Sequence, residues 1–479
     1  MRGIWTTPRV RAAEERLLAR TPEGALMRRA AYGVAVRAAE LLTEHTGRVA
    51  GTRVVLVVGA GNNGGDALWA GHFLRRRGVG VTAVLLRPDK AHPAGLAALR
   101  RAGGTVRTAA EAPIENADLV IDGVVGISAR GPLRPEAAAV FSRVTAPVLA
   151  VDLPSGVDPD TGAVAGPAVR ATSTVTFGAL KPVHVVRPEY CGDTVFVDLG
   201  LADELGEPDL RQLDDTDVAE RWPLPGPQDN KYTQGVTGVA AGSSTYPGAA
   251  VLAAGAAVSA KAGMVRYAGP AADVVRSHWP EVVATGSITD AGRVQAWVVG
   301  PGIGTGREGR DVLATALGQG VPVCADADAI TIIARHPEVL DARDPDTPLL
   351  LTPHDGEFER LTGSAPGDDR VAAAREAARR FHAVILLKGH CTVIADPQGE
   401  VLVNRPRGAW LATAGSGDVL SGLIGSLLAA GLDPWWAAGL AADVHARAGE
   451  IAAGGAPTSA SRVLAAVPDA IRQVRSPGG

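Results

Sequence analysis

The twelve residues Leu411-Ala-Thr-Ala-Gly-Ser-Gly-Asp-Val-Leu-Ser-Gly422 gather three glycines around one acid, Asp418, and continue as a helical pattern. Gly415, Ser416 and Gly417 can form a nest of backbone N–H groups aimed at a phosphate, reinforced by the dipole of the helix that follows. In that positive field a carboxylate is expected to stay ionised and to accept a proton from a substrate hydroxyl beside a transferable phosphate. Taken alone, the motif could be no more than a glycine-rich turn capped by an acid. Three further strand-terminal loops stand in the same half of the chain. Gly300-Pro-Gly-Ile-Gly304 is open to close backbone approach, and Thr352-Pro-His-Asp-Gly-Glu-Phe-Glu-Arg-Leu361 presents His354 at a sheet edge. Lys388-Gly-His-Cys-Thr392 follows the apolar run Val384–Leu387. Together these loops read as one shared site.

The first half offers oxygen-rich chemistry instead. Gly59-Ala-Gly-Asn-Asn-Gly-Gly-Asp66 starts as a dinucleotide fingerprint does, yet it carries Asn62 and Asn63. Their side-chain carbonyls suit a hard, weakly held cation or an amide-bearing ligand. Asp122, in Val-Ile-Asp-Gly-Val-Val-Gly, and Ser155, in Val-Asp152-Leu-Pro-Ser-Gly, stand at two other strand ends and add further oxygens. Each of these residues alone could simply cap a turn.

Such loops need a scaffold that brings strand ends together. From residue 53 the pattern alternates strand, turn and helix: Arg53–Val58 is a β-branched apolar run, a Gly-Asn turn follows, and 66–77 has helical periodicity. Gly78 stops that helix before the strand-like stretch 79–86. Residues 118–121 and Val148–Val151 repeat the device of a short buried strand beside an Asp. These signals predict an open parallel α/β sheet with ligands at the carboxyl ends of its strands, preceded by helix over 11–45. Around 203–230 an acidic, proline-rich stretch containing Trp222-Pro-Leu-Pro-Gly-Pro reads as a linker or extended crossing. A second α/β series follows, with a strand at 235–241, a helix at 247–261 and strands at 296–299, 348–352 and near 384–395. Two helices close it, one after Asp418 and one capped by Asp433 with Pro434 at its first position. The two halves share no motif.

A chain of 479 residues exceeds what one core usually holds, so two domains are expected. With 46% hydrophobic and 20% charged residues the composition is globular, and a formal charge of −4 leaves no electrostatic footprint for nucleic acid or an anionic membrane. Cys191, Cys324 and Cys391 are far apart and odd in number, so neither a disulfide framework nor a zinc cluster is expected. That suits a reducing cytoplasm. The N-terminus lacks an apolar signal core, and the most apolar later stretch, 423–442, is broken by Asp433-Pro434, so no membrane span is expected. Only five of the 47 basic residues are lysine, and Lys181, Lys231 and Lys388 adjoin glycine- or proline-marked turns, where a compact ammonium acts differently from a guanidinium.

The second-half loops occur in a specific order. Gly300 to Gly304, Asp326-Ala-Asp-Ala-Ile330, Thr352 to Leu361, Lys388-Gly-His and Ala412 to Gly422 follow Lys231-Tyr-Thr-Gln-Gly235 and Gly242-Ser-Ser-Thr-Tyr-Pro-Gly-Ala249. This set resembles the ADP/ATP-dependent NAD(P)H-hydrate dehydratases, a ribokinase-like family, over about residues 225–475. The resemblance implies phosphoryl transfer from ADP (or ATP) to the hydroxyl of a hydrated nicotinamide ring, then loss of phosphate to restore the reduced cofactor. It implies that Asp418 deprotonates that hydroxyl and that Lys388, Gly389, His390, Cys391, Thr392 and Gly417 hold the nucleotide. Ala249, Gly304 and His354 would line the hydrate pocket with Asp418, and Mg²⁺ would offset phosphate charge. Gly408-Ala-Trp410 departs from the Gly-Asn-Pro-Gly of many members.

The first-half motifs, with the helical stretch 16–31 and Phe177-Gly-Ala-Leu-Lys181-Pro, are similar to the NAD(P)H-hydrate epimerases over about residues 5–215. That similarity implies K⁺ held by Asn63, Asp122 and Ser155. Hydrate contacts would come from Asn62, Asn63, Gly64, Gly65, Asp66, Asp152 and the loop Gly126, Ile127, Ser128, Ala129, Arg130, Gly131 and Pro132. Asp152 would be the acid/base, with Lys181 near a phosphate or the rim. Ala67 and the Ile127-Ser-Ala-Arg-Gly start depart from the usual pattern. The implied whole is a Rossmann-like α/β/α domain at 1–215 and a ribokinase-like α/β domain at 216–479. It would form a cytoplasmic bifunctional repair enzyme for NADHX and NADPHX, acting as a homo-oligomer, tetramer or larger. Two rivals stay open: a ribokinase-like vitamin or sugar kinase, and a first half that only binds cofactor or docks.

Overall fold

Strands covered on both faces read as unbroken apolar runs, and Arg53–Val58, Leu119–Gly123 and Val148–Val151 are buried along almost their whole length. The computed structural model describes residues 1–127, 130–260 and 263–475, so Ser128 and Ala129 of the expected substrate loop lie outside the described residues. The chain divides into two compact units, Gly3–Leu210 and Arg211–Gly479 with Met1–Arg2.

In the first unit seven strands form one sheet. Their order is Thr105–Arg107, Gly80–Leu85, Arg53–Val58, Leu119–Gly123, Val148–Val151, Ser173–Phe177 and Asp193–Val197, every pair parallel. Chain order reverses between Arg53–Val58 and Leu119–Gly123, the switch point where such sheets open a crevice at their carboxyl edge. Gly59 sits there, and a Cβ on it would lie 1.8 Å from the Val124 carbonyl oxygen, so only glycine lets the two strand-end loops meet. Two expectations need correction. The helix after Arg53–Val58 begins at Asn62, not 66: Gly61 takes φ +91 and turns the chain at once, making the expected Gly-Asn turn the first turn of helix Asn62–Arg75. The expected N-terminal helix is two, Thr7–Leu18 and Ala25–Thr46, because Pro22 and a left-handed Gly24 interrupt it.

The second unit carries a sheet in the order Val401–Val403, Val393–Ala395, Val384–Leu387, Leu349–Leu351, Val323–Ala325, Ala296–Val299, Val236–Ala240, Met264–Ala268 and Val283–Thr285. The first two pairings are antiparallel and the rest parallel. Helix Ser416–Ala429 is apolar on nearly all sides and almost wholly buried. A Cβ on its Gly425 would fall 2.1 Å from Val298 Cγ2, so a small residue is what allows the helix to lie against strand Ala296–Val299. This close packing fixes the height of the helix start relative to the strand ends. The expected linker is partly structured: Asp214 caps helix Asp215–Arg221 through a capping box, and Leu213, Val218 and Trp222 enter the core of the unit. All three cysteines are buried and no disulfide joins them. No helix among the described residues is long and apolar enough to cross a membrane.

Candidate functional site

Four elements of the second unit converge on a cleft of about 760 Å³. Asp326 comes from the end of Val323–Ala325, His354 and Glu357 from the start of helix Asp355–Thr362, and Lys388 from the end of Val384–Leu387. Gly417 and Asp418 come from the first turn of Ser416–Ala429. Lys388 Nζ lies 2.7 Å from Asp326 Oδ1 and 3.6 Å from Glu357 Oε2. The Ser421 hydroxyl donates to Asp326 Oδ2 at 2.7 Å, so both oxygens of that carboxylate are held. A Cβ on Gly417 would stand 3.6 Å from both Asp326 Oδ2 and Lys388 Nζ; ammonium, carboxylate and helix start therefore meet at van der Waals range.

Charge placement decides what these groups can do. Burial pulls the Lys388 ammonium down, but the carboxylates of Asp326 and Glu357 outweigh it and leave the group above its ordinary value. Asp418 goes the other way from expectation: burial, then the charge of Asp326, push its carboxyl up to about 7 against the pull of Lys388. The helix field does not keep it a strong acid. A carboxyl poised near neutrality is the better general base. The expected nest also changes in detail. Ser416 N–H donates to the Thr413 carbonyl at 3.3 Å and its hydroxyl to Leu411 O at 2.7 Å. The first-turn amides of Gly417 and Asp418 have no intrahelical partner and remain for an anion.

Other expected residues divide. Gly389, His390 and Thr392 line the cleft, whereas Cys391 is buried and not part of its lining. His354 lines the cleft and also caps its helix, Nδ1 accepting the Gly356 and Glu357 N–H groups at 3.0 and 3.3 Å. Gly304 and Ala249 stand outside this cleft's lining. The Gly304 N–H donates to Asp328 Oδ2 at 2.9 Å, and a Cβ on Gly302 would be 3.5 Å from that of Ala249. The departing Gly408-Ala409 segment lines the cleft. Asp326, Glu357 and Ser421 were not singled out from sequence, although all three lie within the quoted motifs. Gly300 supports Asp326 from behind: at φ +128, a Cβ there would be 1.9 Å from the Asp326 carbonyl oxygen. Gly300→Ala is therefore expected to cost about 3 kcal/mol or more and to lower the thermal midpoint on the order of 6–12 °C. An unchanged calorimetric midpoint would refute that packing argument.

The first unit brings its own group together at the carboxyl ends of its strands. Asp152 follows strand Val148–Val151 at φ +67, a conformation that a non-glycine residue keeps only when its surroundings hold it. His184 Nδ1 accepts the Lys181 N–H at 3.0 Å, so its proton sits on Nε2, which donates to the Asp152 carbonyl at 2.9 Å. Burial, then the charge of Lys181, pull this imidazole down to about 4, so it is neutral near pH 7. Lys181 Nζ donates to Asp152 Oδ1 at 2.6 Å, Thr176 Oγ1 at 3.0 Å and Phe177 O at 3.1 Å. Lys181 is thus not at a rim. It is fully buried beneath Asp152 with all three ammonium protons engaged, since a lysine enters an interior only when paired.

Asp122 is fully buried and accepts the Ser155 hydroxyl at 2.7 Å, the Ser155 N–H at 2.8 Å and the Val124 N–H at 3.2 Å. Burial, partly offset by these hydrogen bonds, pushes it up to about 6. Asn63 Nδ2 donates to Val125 O at 2.6 Å. Asn62 is exposed, Gly64, Gly65 and Asp66 are buried, Gly126 and Ile127 are half-buried, and Gly131 and Pro132 are exposed. Arg130 pairs with Asp158 at 3.2 Å and Asp160 at 2.7 Å, so it anchors its loop. Thr176 and His184 were not anticipated; no motif marks them.

A family model for NAD(P)H-hydrate dehydratase matches residues 237–466, and one for the YjeF-related protein N-terminus matches 23–183. The bifunctional NAD(P)H-hydrate repair enzyme Nnr of Mycobacterium leprae is 55% identical over 483 residues, covering 98% of this chain and 99% of its own. The chain belongs to the bifunctional NAD(P)H-hydrate repair enzymes. The repair enzyme of Mycobacterium tuberculosis is 58% identical over 435 residues, 90% of each chain. Among solved structures, the ADP/ATP-dependent NAD(P)H-hydrate dehydratase of Bacillus subtilis, co-crystallised with ATP/Mg²⁺, matches at 27% identity and TM-score 0.50. It covers 55% of this chain and 99% of its own. A repair enzyme's dehydratase region thus coincides with the unit that holds the Asp326–Lys388–Asp418 cleft.

Proposed function

We propose the following division of labour. The chain is a bifunctional NAD(P)H-hydrate repair enzyme: the first unit interconverts the R and S hydrates, and the second dehydrates the S form with ADP or ATP. One observation carries the dehydratase assignment, the half-buried Asp418 at a helix start beside the Lys388–Asp326 pair. Asp418 takes the proton of the ring hydroxyl, whose oxygen attacks the terminal phosphorus while the bridging P–O bond breaks, releasing AMP when ADP is the donor. The C–O bond then breaks with its electron pair on phosphate, and loss of the neighbouring C–H proton restores the ring double bond. Lys388 and the Gly417 and Asp418 amides position phosphate oxygens. Mg²⁺ would supply charge neutralisation on the phosphates. No cluster of three or more ligating His, Cys, Asp or Glu side chains occurs among the described residues, so the ion would be held mainly by phosphate and water, near Asp326 and Glu357. Mixed hydrate epimers with ADP and Mg²⁺ should regain all the absorbance of the reduced cofactor. A lasting phosphorylated product would instead assign a kinase.

Asn63, Asp122 and Ser155 would hold K⁺ in the first unit. The fit rests on Asp122, a buried carboxylate that no basic side chain pairs with among the described residues, with the Ser155 hydroxyl oxygen 2.7 Å from it. K⁺ at about 100 times its Kd is expected to stabilise this unit by about 2.7 kcal/mol over tetramethylammonium, and Asp122→Asn to erase the difference. Equal melting in both salts would overturn the assignment. Three buried thiols fit a reducing, cytoplasmic setting.

A further inference from the structure

Two carboxyl groups of the first unit, Asp152 and Asp66, differ in their partners. Asp152 is fastened to Lys181 through Oδ1. Asp66, on helix Asn62–Arg75, is buried, and its Oδ1 is sealed from solvent with no hydrogen-bond partner among the described residues. Both stand at the carboxyl edge of the sheet, with only strand Leu119–Gly123 between the strands that precede them. Sealing an ionised carboxylate oxygen without a donor costs more than sealing a neutral, protonated carboxyl. Burial, then the charges of Asp152 and Glu14, push the Asp66 carboxyl well above the usual carboxylate range. Glu14 is pushed up to about 7, chiefly by burial.

We propose that Asp66 is a catalytic residue of the epimerase reaction, the carboxylic acid that protonates the departing hydroxyl, with Asp152 as the opposing base. The assignment rests on the epimerase reading of the first unit. The proton of Asp66 passes to the hydroxyl oxygen, the C–O bond breaks and water departs with that electron pair. The lone pair of the adjacent ring nitrogen closes a C=N⁺ bond. A solvent water then adds from the other face: its oxygen forms the new C–O bond, the C=N pair returns to nitrogen, and its surplus proton goes to Asp152. Solvent carries the proton from Asp152 back to Asp66. Two carboxyl groups whose surroundings differ in this way are how one site supplies an acid and a base at the same pH.

The test uses the full chain, purified S hydrate and no nucleotide, so that only interconversion is read. Asp66→Asn keeps shape and a hydrogen-bond donor but no transferable proton; kcat should fall about 100-fold or more with KM little changed. A raised KM with kcat intact makes Asp66 a ligand only and overturns the assignment. In heavy-oxygen water the unaltered protein should incorporate one solvent oxygen per inversion, a readout independent of how the variant folds. Inversion with the original oxygen retained overturns the mechanism. An unaltered chain no faster than buffer would defeat the epimerase reading and this assignment with it, whereas an active chain with a fully active Asp66→Asn defeats the assignment alone.

Discussion

Asp418→Asn is expected to cut dehydration of the S hydrate by about 10²–10⁴-fold in kcat, the range a positioned general base supplies. That corresponds to about 3–5 kcal/mol of transition-state stabilisation. Asparagine preserves the length of the side chain and the first helical turn, so the Gly417 amide, Lys388 and the adjoining loop still face the phosphates. Nucleotide binding, followed by calorimetry, should therefore change little. Loss of binding with chemistry preserved at saturation would contradict the base assignment. The pH profile supplies an independent check. Because burial and Asp326 push this carboxyl up to about 7, its ionised fraction falls as pH drops through that value, and kcat should fall with it. Asp326→Asn removes a negative neighbour, favours ionisation of Asp418, and should move that acid limb to lower pH. A limb that stays in place would mean another group sets it.

Asp152→Asn should leave the mixed hydrates incompletely repaired. With ADP and Mg²⁺ the absorbance of reduced cofactor is expected to stop rising once the S form is consumed, apart from slow uncatalysed interconversion, with epimerase kcat down about 10²–10⁴-fold. Asparagine is chosen because it tolerates a left-handed backbone better than other side chains, so the turn at φ +67 can persist. The change also strips Lys181 of its counter-charge, and breaking such a buried pair costs about 3–5 kcal/mol. Assays therefore belong well below the lowered midpoint. Full repair of both epimers at the normal rate would restore the idea that the first unit merely binds cofactor.

How much of this was legible in the chain follows from which signals are local. Val148–Val151 and Val384–Leu387 announce themselves because strands buried on both faces are continuous apolar runs, and Asp433-Pro434 announces a helix start because cap and proline are adjacent. Glycine-rich strand ends marked both candidate sites. What stayed hidden depends on pairing across distance. Lys181 meets Asp152 from 29 residues away and Lys388 meets Asp326 from 62, through strand register that no short window contains. The poise of Asp418 is hidden for the same reason: the local helix start argues for ionisation, while burial in the folded cleft, then Asp326 brought in by another strand, argue against it. The start of helix Asn62–Arg75 was misplaced because glycines that usually signal a turn here open the helix itself.

Ala327 adopts φ +52 and ψ −112 immediately after Asp326, a shape that residues with a side chain rarely accept, and its N–H bonds back to Asp326 Oδ1 at 2.9 Å. Glycine would relieve the torsional stress but would open many alternative shapes to this corner. Retaining a methyl group there keeps the neighbouring acid in one orientation before any nucleotide arrives, so little reorganisation is left for the moment of reaction.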